Sequence, residues 1–166
     1  ALILQDWGRL EEAMALHKKQ EALCVELGDK DSLQIGYGNQ ALILRRWGRL
    51  DEAMALHKKE EDLCLELGNK DGLQASYCNQ ALTLGARGRP EEAMALLEKQ
   101  ELICMELGLR LSLGYCYWIW GLVARAQGDR TMGRAKLQAA LDIFTELKTP
   151  RERDKVAAEL AKTGDE

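Results

Sequence analysis

Residues 36–41 of the chain, GYGNQA, match the G-x-G-x-x-A pattern of loops that bind the pyrophosphate of a dinucleotide. Such a loop needs a β-strand before it and a helix that opens within it. The equivalent segments forty and eighty residues later, SYCNQA at 76–81 and CYWIWG at 116–121, do not keep the glycine pair. The apolar residues around GYGNQA follow the i, i+4, i+8, i+11 spacing of one helix face: Leu33, Tyr37, Ala41 and Leu44. We therefore interpret GYGNQA as helix sequence and expect no dinucleotide cofactor.

Histidine–cysteine pairs could act as a base and a nucleophile. His17 precedes Cys24, and His57 precedes Cys64, by seven residues. That spacing is about 10 Å along a helix, which is too far for a shared hydrogen bond. Leu97 stands forty residues after His57, so we expect these histidines to pack in the core. The sequence also lacks a phosphate loop, a nucleophile elbow and metal-ligand spacing, and we expect a non-enzymatic protein with neither cofactor nor metal.

The composition limits the compartment and the kind of partner. Three of the five cysteines recur at one position of a helix, and we expect them to be buried, reduced thiols of a cytoplasmic protein: Cys24, Cys64 and Cys104. The net charge of −4 gives no basic excess, so we expect neither a nucleic acid nor a membrane as a partner.

The sequence repeats with a period of forty residues. Residues 1–40 and 41–80 align without a gap and differ at 11 of 40 positions. Residues 81–120 form a third copy, and 121–160 a more divergent fourth copy. A fixed period of this length is typical of a solenoid, in which each unit buries its apolar face against its neighbours.

Glycines divide each repeat into two helices, because glycine ends a helix in the left-handed conformation. The expected first helices are 31–47, 71–87 and 111–127, with a truncated copy at 1–7 that ends at Gly8. The expected second helices are 10–27, 50–67, 90–107 and 130–147. Thr149, Pro150 and Glu152 predict a capping box that opens a C-terminal capping helix. The expected organisation is a repeat array at 1–147, a capping helix at 149–163 and a tail at 164–166.

These hairpins resemble the tetratricopeptide repeat (TPR) family. The resemblance rests on G-R-L-[DE]-E-A at the turn and on an aromatic and a small residue in the first helix. The matching residues are Tyr37, Ala41, Gly48, Leu50 and Ala53, then Tyr77, Ala81, Gly88 and Ala93. The period of forty, instead of about 34, is similar to that of Pins-type adaptors, kinesin light chains and the sensor arrays of bacterial signalling ATPases. The resemblance implies an all-α, right-handed α-solenoid of about four repeats, whose first helices line a concave groove that binds peptides or protein segments.

The helical wheel predicts which residues face this groove. Opposite the packing face of residues 31–47, the surface is substantially apolar: Ile35, Gly38, Asn39, Leu42 and Arg46. Leucines recur there at the repeat spacing, at Leu2, Leu42, Leu82 and Leu122. Asn39 and Asn79 form a second row, and the resemblance implies that they bind the backbone of a ligand. The predicted peptide-binding residues are Asn39, Leu42, Arg46, Asn79, Leu82, Tyr115, Trp118 and Leu122.

Each of these assignments has an alternative. The leucines could pack between neighbouring helices, and Tyr115 and Trp118 could bury against the capping helix instead of anchoring a partner. Arg45, Arg46 and Arg125 could meet acidic groups of a ligand or be solvated.

For the whole chain we expect a protein-interaction module that binds a peptide or partner helix. Its alternatives are a ligand-sensing region of a larger signalling (STAND-type) ATPase and a self-assembling scaffold joined through an uncapped N-terminal end.

Overall fold

The computed structural model describes the backbone of residues 2–162 and the side chains of residues 8–162. This part of the chain is helical throughout and contains no strand. Its eight helices are α1 (Leu2–Leu27), α2 (Lys30–Arg46), α3 (Leu50–Leu67), α4 (Lys70–Ala86), α5 (Pro90–Leu107), α6 (Arg110–Ala126), α7 (Arg130–Glu146) and α8 (Pro150–Ala161). The chain forms two compact units, Ala1–Asn79 and Gln80–Glu166, and α4 contributes to both. The predicted tail, 164–166, lies outside the described residues.

Glycines end the helices as the sequence predicts. Six of them have φ between 65° and 85°, the left-handed region that side chains with a Cβ disfavour: Gly28, Gly48, Gly68, Gly88, Gly108 and Gly128. After Gly68, for example, the Asn69 amide donates to the Cys64 carbonyl at 2.8 Å. The predicted helices from residue 31 to residue 147 are each confirmed to within one residue at either end.

Gly8 is the exception, and the predicted break there is wrong. Helix α1 runs without interruption from Leu2 to Leu27 and passes through Gly8. Glycine permits the left-handed conformation but does not require it, and inside a helix it costs only about 1 kcal/mol relative to alanine. Continuing the helix instead keeps its backbone hydrogen bonds.

In the first unit, α2 packs against α1 and α3. Its apolar contacts centre on Ala41, Leu44 and Ala53, which are at most 6% exposed. Further along the hairpin, the buried Cys64 thiol donates to Gln34 Oε1 at 2.5 Å. This bond satisfies a buried amide oxygen that would otherwise be costly.

Gly38 was predicted to face the groove and is instead buried against α3. A Cβ at this position would lie 2.5 Å from Glu60 Oε1. Glu60 Oε2 forms a hydrogen bond of 2.9 Å with His57 Nδ1, and His57 is completely buried. The absence of a side chain at Gly38 thus makes space for a buried His–Glu pair, which the helical wheel does not register because it ignores side-chain size.

In the second unit, α6 lies against α5 and α7, and α7 against α8. The core cluster of α7 and α8 consists of fully buried side chains: Leu137, Ala140, Phe144 and Val156. Lys136 lies over the Trp120 ring, with its Nζ 3.6 Å from the ring centroid, and pairs with Glu101 at 3.3 Å. These contacts connect α5, α6 and α7.

Helix α8 begins at Pro150 as predicted, but the predicted capping box does not form. Thr149 Oγ1 donates to the Phe144 carbonyl at 3.2 Å, and Glu152 accepts from the Tyr115 hydroxyl at 3.2 Å. The end of α7 and the side chain of Tyr115 therefore engage the two side chains that would have formed the capping box. Among the helices of residues 2–162, none combines the length and apolar character needed to cross a bilayer.

Candidate functional site

Three of the predicted binding residues line one hollow on the first unit, which we name the α1–α2 hollow. Asn39, Leu42 and Arg46 lie on α2 at i, i+3 and i+7, one face of the helix. Ala41 and Leu44 on the adjoining face are buried, and this packing fixes the rotation of α2. The hollow has a volume of about 400 Å³. Its lining consists of Leu10, Ala13, His17, Asn39, Leu42, Ile43, Arg45 and Arg46.

Two arginines line the α1–α2 hollow, and the side chains that the structure describes, those of residues 8–162, contribute no acidic group to its lining. Burial lowers the pKa of the Arg45 guanidinium, and the neighbouring charge of Arg46 lowers it as well. Arg45 Nε is buried and has no hydrogen-bond partner among the described residues. An anionic group in this hollow would therefore offset the repulsion between two neighbouring cations.

Two of the predicted leucines line a second hollow, on the second unit, which we name the α4–α6 hollow. It has a volume of about 410 Å³, and Leu82 and Leu122 form part of its wall. The described residues that line it carry no charged side chain: Ala81, Leu82, Gly85, Gly88, Pro90, Ile119, Leu122, Val123, Ala126 and Gln127. This hollow suits an apolar group, because it offers only one polar side chain.

Tyr115 and Trp118 lie together in a third place, against α7 and α8. Their ring centroids are 5.3 and 6.2 Å from that of Phe144, and both contacts are edge-to-face. Both rings are half-buried and pack on the cluster that contains Val156. These contacts correspond to the alternative in which the aromatic residues pack against the capping helix.

Asn79 is the remaining predicted residue. It is half-buried on α4, three residues before Leu82. The side chain of Leu2, the first member of the leucine row, lies outside the described residues.

The sequence analysis missed a hollow of about 590 Å³ on the first unit, which we name the α1–α3 hollow. Its apolar surface includes Met14, Leu44 and Trp47, and charged side chains such as Lys18 and Lys59 surround it. The helical wheel assigned this face to packing. Ala15 and Ala55 line the hollow at equivalent repeat positions. A small residue that recurs at one repeat position could have predicted a hollow on this face of the helices.

The histidines considered for catalysis occupy different environments. His57 is completely buried, so a substrate in solution does not reach it. His17 is half-buried in the α1–α2 hollow, 3.4 Å from Gln20 Oε1. Residues 8–162 contain no group of three His, Cys, Asp or Glu side chains placed to hold a metal ion.

Comparisons with known proteins agree with the fold. No family model and no curated protein matches the sequence. Among solved structures, the chain is similar to BtubC (BKLC) from P. vanneervenii, with a TM-score of 0.76 and 16% sequence identity. The match covers 96% of this chain and 74% of that chain. At this identity the likeness concerns the fold alone, and it supports an all-helical repeat fold.

Proposed function

We propose that the chain is a non-enzymatic protein-interaction module of the TPR type. In this proposal about four repeats form a right-handed solenoid, and a peptide or partner helix binds in its concave groove. The ligand would be a protein segment with at least one acidic and one apolar side chain.

The observation that carries the proposal is the make-up of the α1–α2 hollow. Asn39, Leu42 and Arg46 were predicted as binding residues from the helical wheel, and they line one hollow together with Arg45. An amide that can bond a peptide backbone, an apolar side chain and two cations are the groups that recognise an acidic peptide.

The α4–α6 hollow would contribute an apolar subsite. Leu82 and Leu122 would contact an aliphatic or aromatic side chain of the ligand, and the uncharged lining would favour its transfer out of water. Asn79 would bond the ligand backbone, and the exposed parts of Tyr115 and Trp118 would extend the apolar contact.

A selection from a random 16-residue peptide library tests the proposal. The selected peptide is synthesised with a fluorophore, and its Kd is measured by fluorescence anisotropy. We expect the Leu82→Asp and Arg46→Glu variants to weaken binding by at least about tenfold each, equivalent to about 1.4 kcal/mol.

Two matched variants make the same chemical changes elsewhere. Leu102→Asp alters a leucine on α5 that is 69% exposed, and Arg134→Glu alters an exposed arginine on α7. Both should bind as the unmodified protein does, with unchanged circular dichroism. The proposal fails if no peptide is enriched over an unrelated helical protein, or if the groove variants bind like their controls.

A further inference from the structure

The α1–α3 hollow, of about 590 Å³, has two parallel walls and an apolar floor. Gln40 of α2 donates to Glu21 of α1 at 2.8 Å, and Leu44 of α2 shares a core cluster with Met14 of α1, so these two helices are antiparallel. The chain turns back again between α2 and α3 at Gly48. Helices α1 and α3 therefore run in the same direction, with α2 beneath them.

The direction of the walls separates the charged side chains of the rim. Glu11 and Glu52 lie toward the N-terminal ends of the two helices, and Lys18 and Lys59 follow each of them by seven residues, about 10 Å along the hollow. Arg49 engages Glu52, because its Nε and Nη2 donate to that carboxylate at 2.6 and 2.5 Å. Neither Lys18 nor Lys59 forms an ion pair with a described residue. The lysine end of the hollow therefore offers two cations to an anionic group.

The second unit shows which groups fit at the corresponding place. Gln40 and Leu56, which line the hollow, correspond to Trp120 and Lys136. Trp120 is 7% exposed, and Lys136 Nζ lies 3.6 Å from the centroid of its ring. Lys136 also pairs with Glu101 of α5 at 3.3 Å. Between α5 and α7, an indole ring with a cation over its face therefore stands where the first unit has a glutamine and a leucine.

The α1 wall of the hollow faces α3. On a helical wheel, Ala15 and Lys18 lie about half a turn from Gln20. The equivalent of Gln20 on α3 is Glu60, which lies against Gly38 in the first helix of its own repeat. The hollow is therefore built from α1, α2 and α3, on the side of α1 opposite the one that the first helix of a repeat covers.

We infer that the α1–α3 hollow is a binding site for a small aromatic carboxylate of one or two fused rings. The ring lies against Leu44 and Leu56 beside Gln40, and the carboxylate reaches Lys18 and Lys59. A lysine ammonium group is attracted both to a carboxylate and to the face of an aromatic ring. The volume and the largely apolar lining are those of small-molecule sites.

This site goes beyond the proposed function. The α1–α3 hollow shares no described lining residue with the α1–α2 hollow or with the α4–α6 hollow. Because the peptide selection depends on Leu82 and Arg46, which line those other hollows, the two proposals can fail separately.

A nuclear magnetic resonance titration of the whole chain with indole-3-propionate tests the inference at low salt, where charge pairs contribute most. The methyl groups of Ala15 and Ala55 report on the hollow directly. We expect both signals to shift with one Kd of about 1 mM or lower, as for a ligand of this size. Tryptamine has the same ring with a cation in place of the carboxylate, and it should bind at least about fivefold more weakly.

Variants separate the contributions of charge and space. In the Lys18→Glu/Lys59→Glu protein, tryptamine should bind more tightly than indole-3-propionate. Lys19→Glu/Lys155→Glu makes the same change at two exposed lysines outside the lining and should keep the original order.

Ala55→Phe replaces an exposed alanine of the wall, and its side chain would fill the hollow. It should weaken the binding of indole-3-propionate at least about tenfold. Ala158→Phe makes the same change on the exposed face of α8 and should bind as the unmodified protein does, with unchanged circular dichroism for both variants.

The inference is overturned if indole-3-propionate shifts neither methyl signal, if it binds no more tightly than tryptamine, or if Ala55→Phe binds like Ala158→Phe. A tryptophan side chain of a protein partner is the other possible occupant. If a tryptophan-containing library peptide shifts Ala15 and Ala55 while free indole-3-propionate does not, the hollow is a peptide-docking surface and the assignment of a small carboxylate is wrong.

Discussion

The α2–α3 and α6–α7 hairpins are two repeat lengths apart in the sequence. At equivalent contacts between their two helices, the larger side chain stands on one helix in the first hairpin and on the other helix in the second. In the first hairpin, Gln34 of α2 meets Cys64 of α3 through a hydrogen bond. In the second, Gly114 of α6 meets Phe144 of α7, and a Cβ on Gly114 would lie 2.8 Å from Phe144 Cε1. A polar pair of similar sizes is thus replaced by a pair of very unequal sizes.

A second contact shows the same exchange. Gly38 leaves space for Glu60 in the first hairpin. At the equivalent positions of the second hairpin stand Trp118 and Ala140, with the large residue now on the first helix. Close-packed interiors require that a gain in volume on one helix be matched by a loss on the facing helix. At both contacts the larger residue therefore stands on the other helix in the second hairpin, and the polarity of the pair changes as well.

The largest expected effect concerns Phe144. Replacing it by alanine should lower the free energy of unfolding by about 3–5 kcal/mol, because a large cavity would remain between Leu137 and Val156. Cys64→Ala leaves the buried Gln34 Oε1 without its hydrogen bond and should cost less, about 1–3 kcal/mol. Urea denaturation followed by circular dichroism measures both. A smaller loss for Phe144→Ala than for Cys64→Ala would contradict the size argument.

The next expected effect tests the paired volumes directly. Gly114→Gln should cost about 1–3 kcal/mol, because its side chain would overlap Phe144. Adding Phe144→Cys recreates the Gln34–Cys64 pair and should recover part of that loss, with a coupling energy of about 0.5–3 kcal/mol. Gly36→Ala is the control, since a methyl group there meets nothing within 4 Å. Additive effects of Gly114→Gln and Phe144→Cys would show that the two positions do not compensate.

A comparable effect is expected at the buried His57–Glu60 pair. His57→Leu removes the partner of a buried carboxyl group and should cost about 1–3 kcal/mol. Adding Glu60→Gln gives the leucine and glutamine that the third repeat carries at Leu97 and Gln100. We expect the double variant to unfold at a higher urea concentration than His57→Leu alone. If adding Glu60→Gln lowers the urea midpoint of unfolding further, the leucine–glutamine pair of the third repeat does not substitute for the His57–Glu60 pair in the first unit.

The smallest expected effect is a pH dependence at Cys64, whose equivalent in the second hairpin, Phe144, does not titrate. Burial raises the pKa of the Cys64 thiol from 9.0 to about 11, and the charges of Glu60 and Glu61 contribute in the same direction. The folded protein therefore holds this proton more tightly than the unfolded chain. The contribution of Cys64 to stability is complete below pH 9 and is lost as the pH rises from 9 through 11.

Urea denaturation of the unmodified protein and of Cys64→Ala, at pH 8 and pH 10, isolates this contribution. The difference in stability between the two proteins should shrink at the higher pH. An unchanged difference would indicate that the thiol keeps an ordinary pKa.

Much of the fold could be predicted from the sequence. The period of forty residues and the glycines predicted the bounds of every helix from residue 31 to residue 147. This is possible because a glycine in the left-handed conformation ends a helix through its own backbone. Asn39, Leu42 and Arg46 share a hollow, and their role in binding stays a prediction. Gly38 is buried instead of facing outward, since the helical wheel does not register what a neighbouring helix places opposite it.

The tetrapeptide WGRL separates the two kinds of information. It occurs at 7–10, inside the continuous helix α1, and at 47–50, where Gly48 has a φ of 74° and the chain turns from α2 into α3. The sequence by itself determined where a turn is possible, because only glycine enters this conformation at little cost. The tertiary structure decided where the turn forms, because the burial of α2 against α3 offsets the backbone hydrogen bonds that a break in the helix gives up.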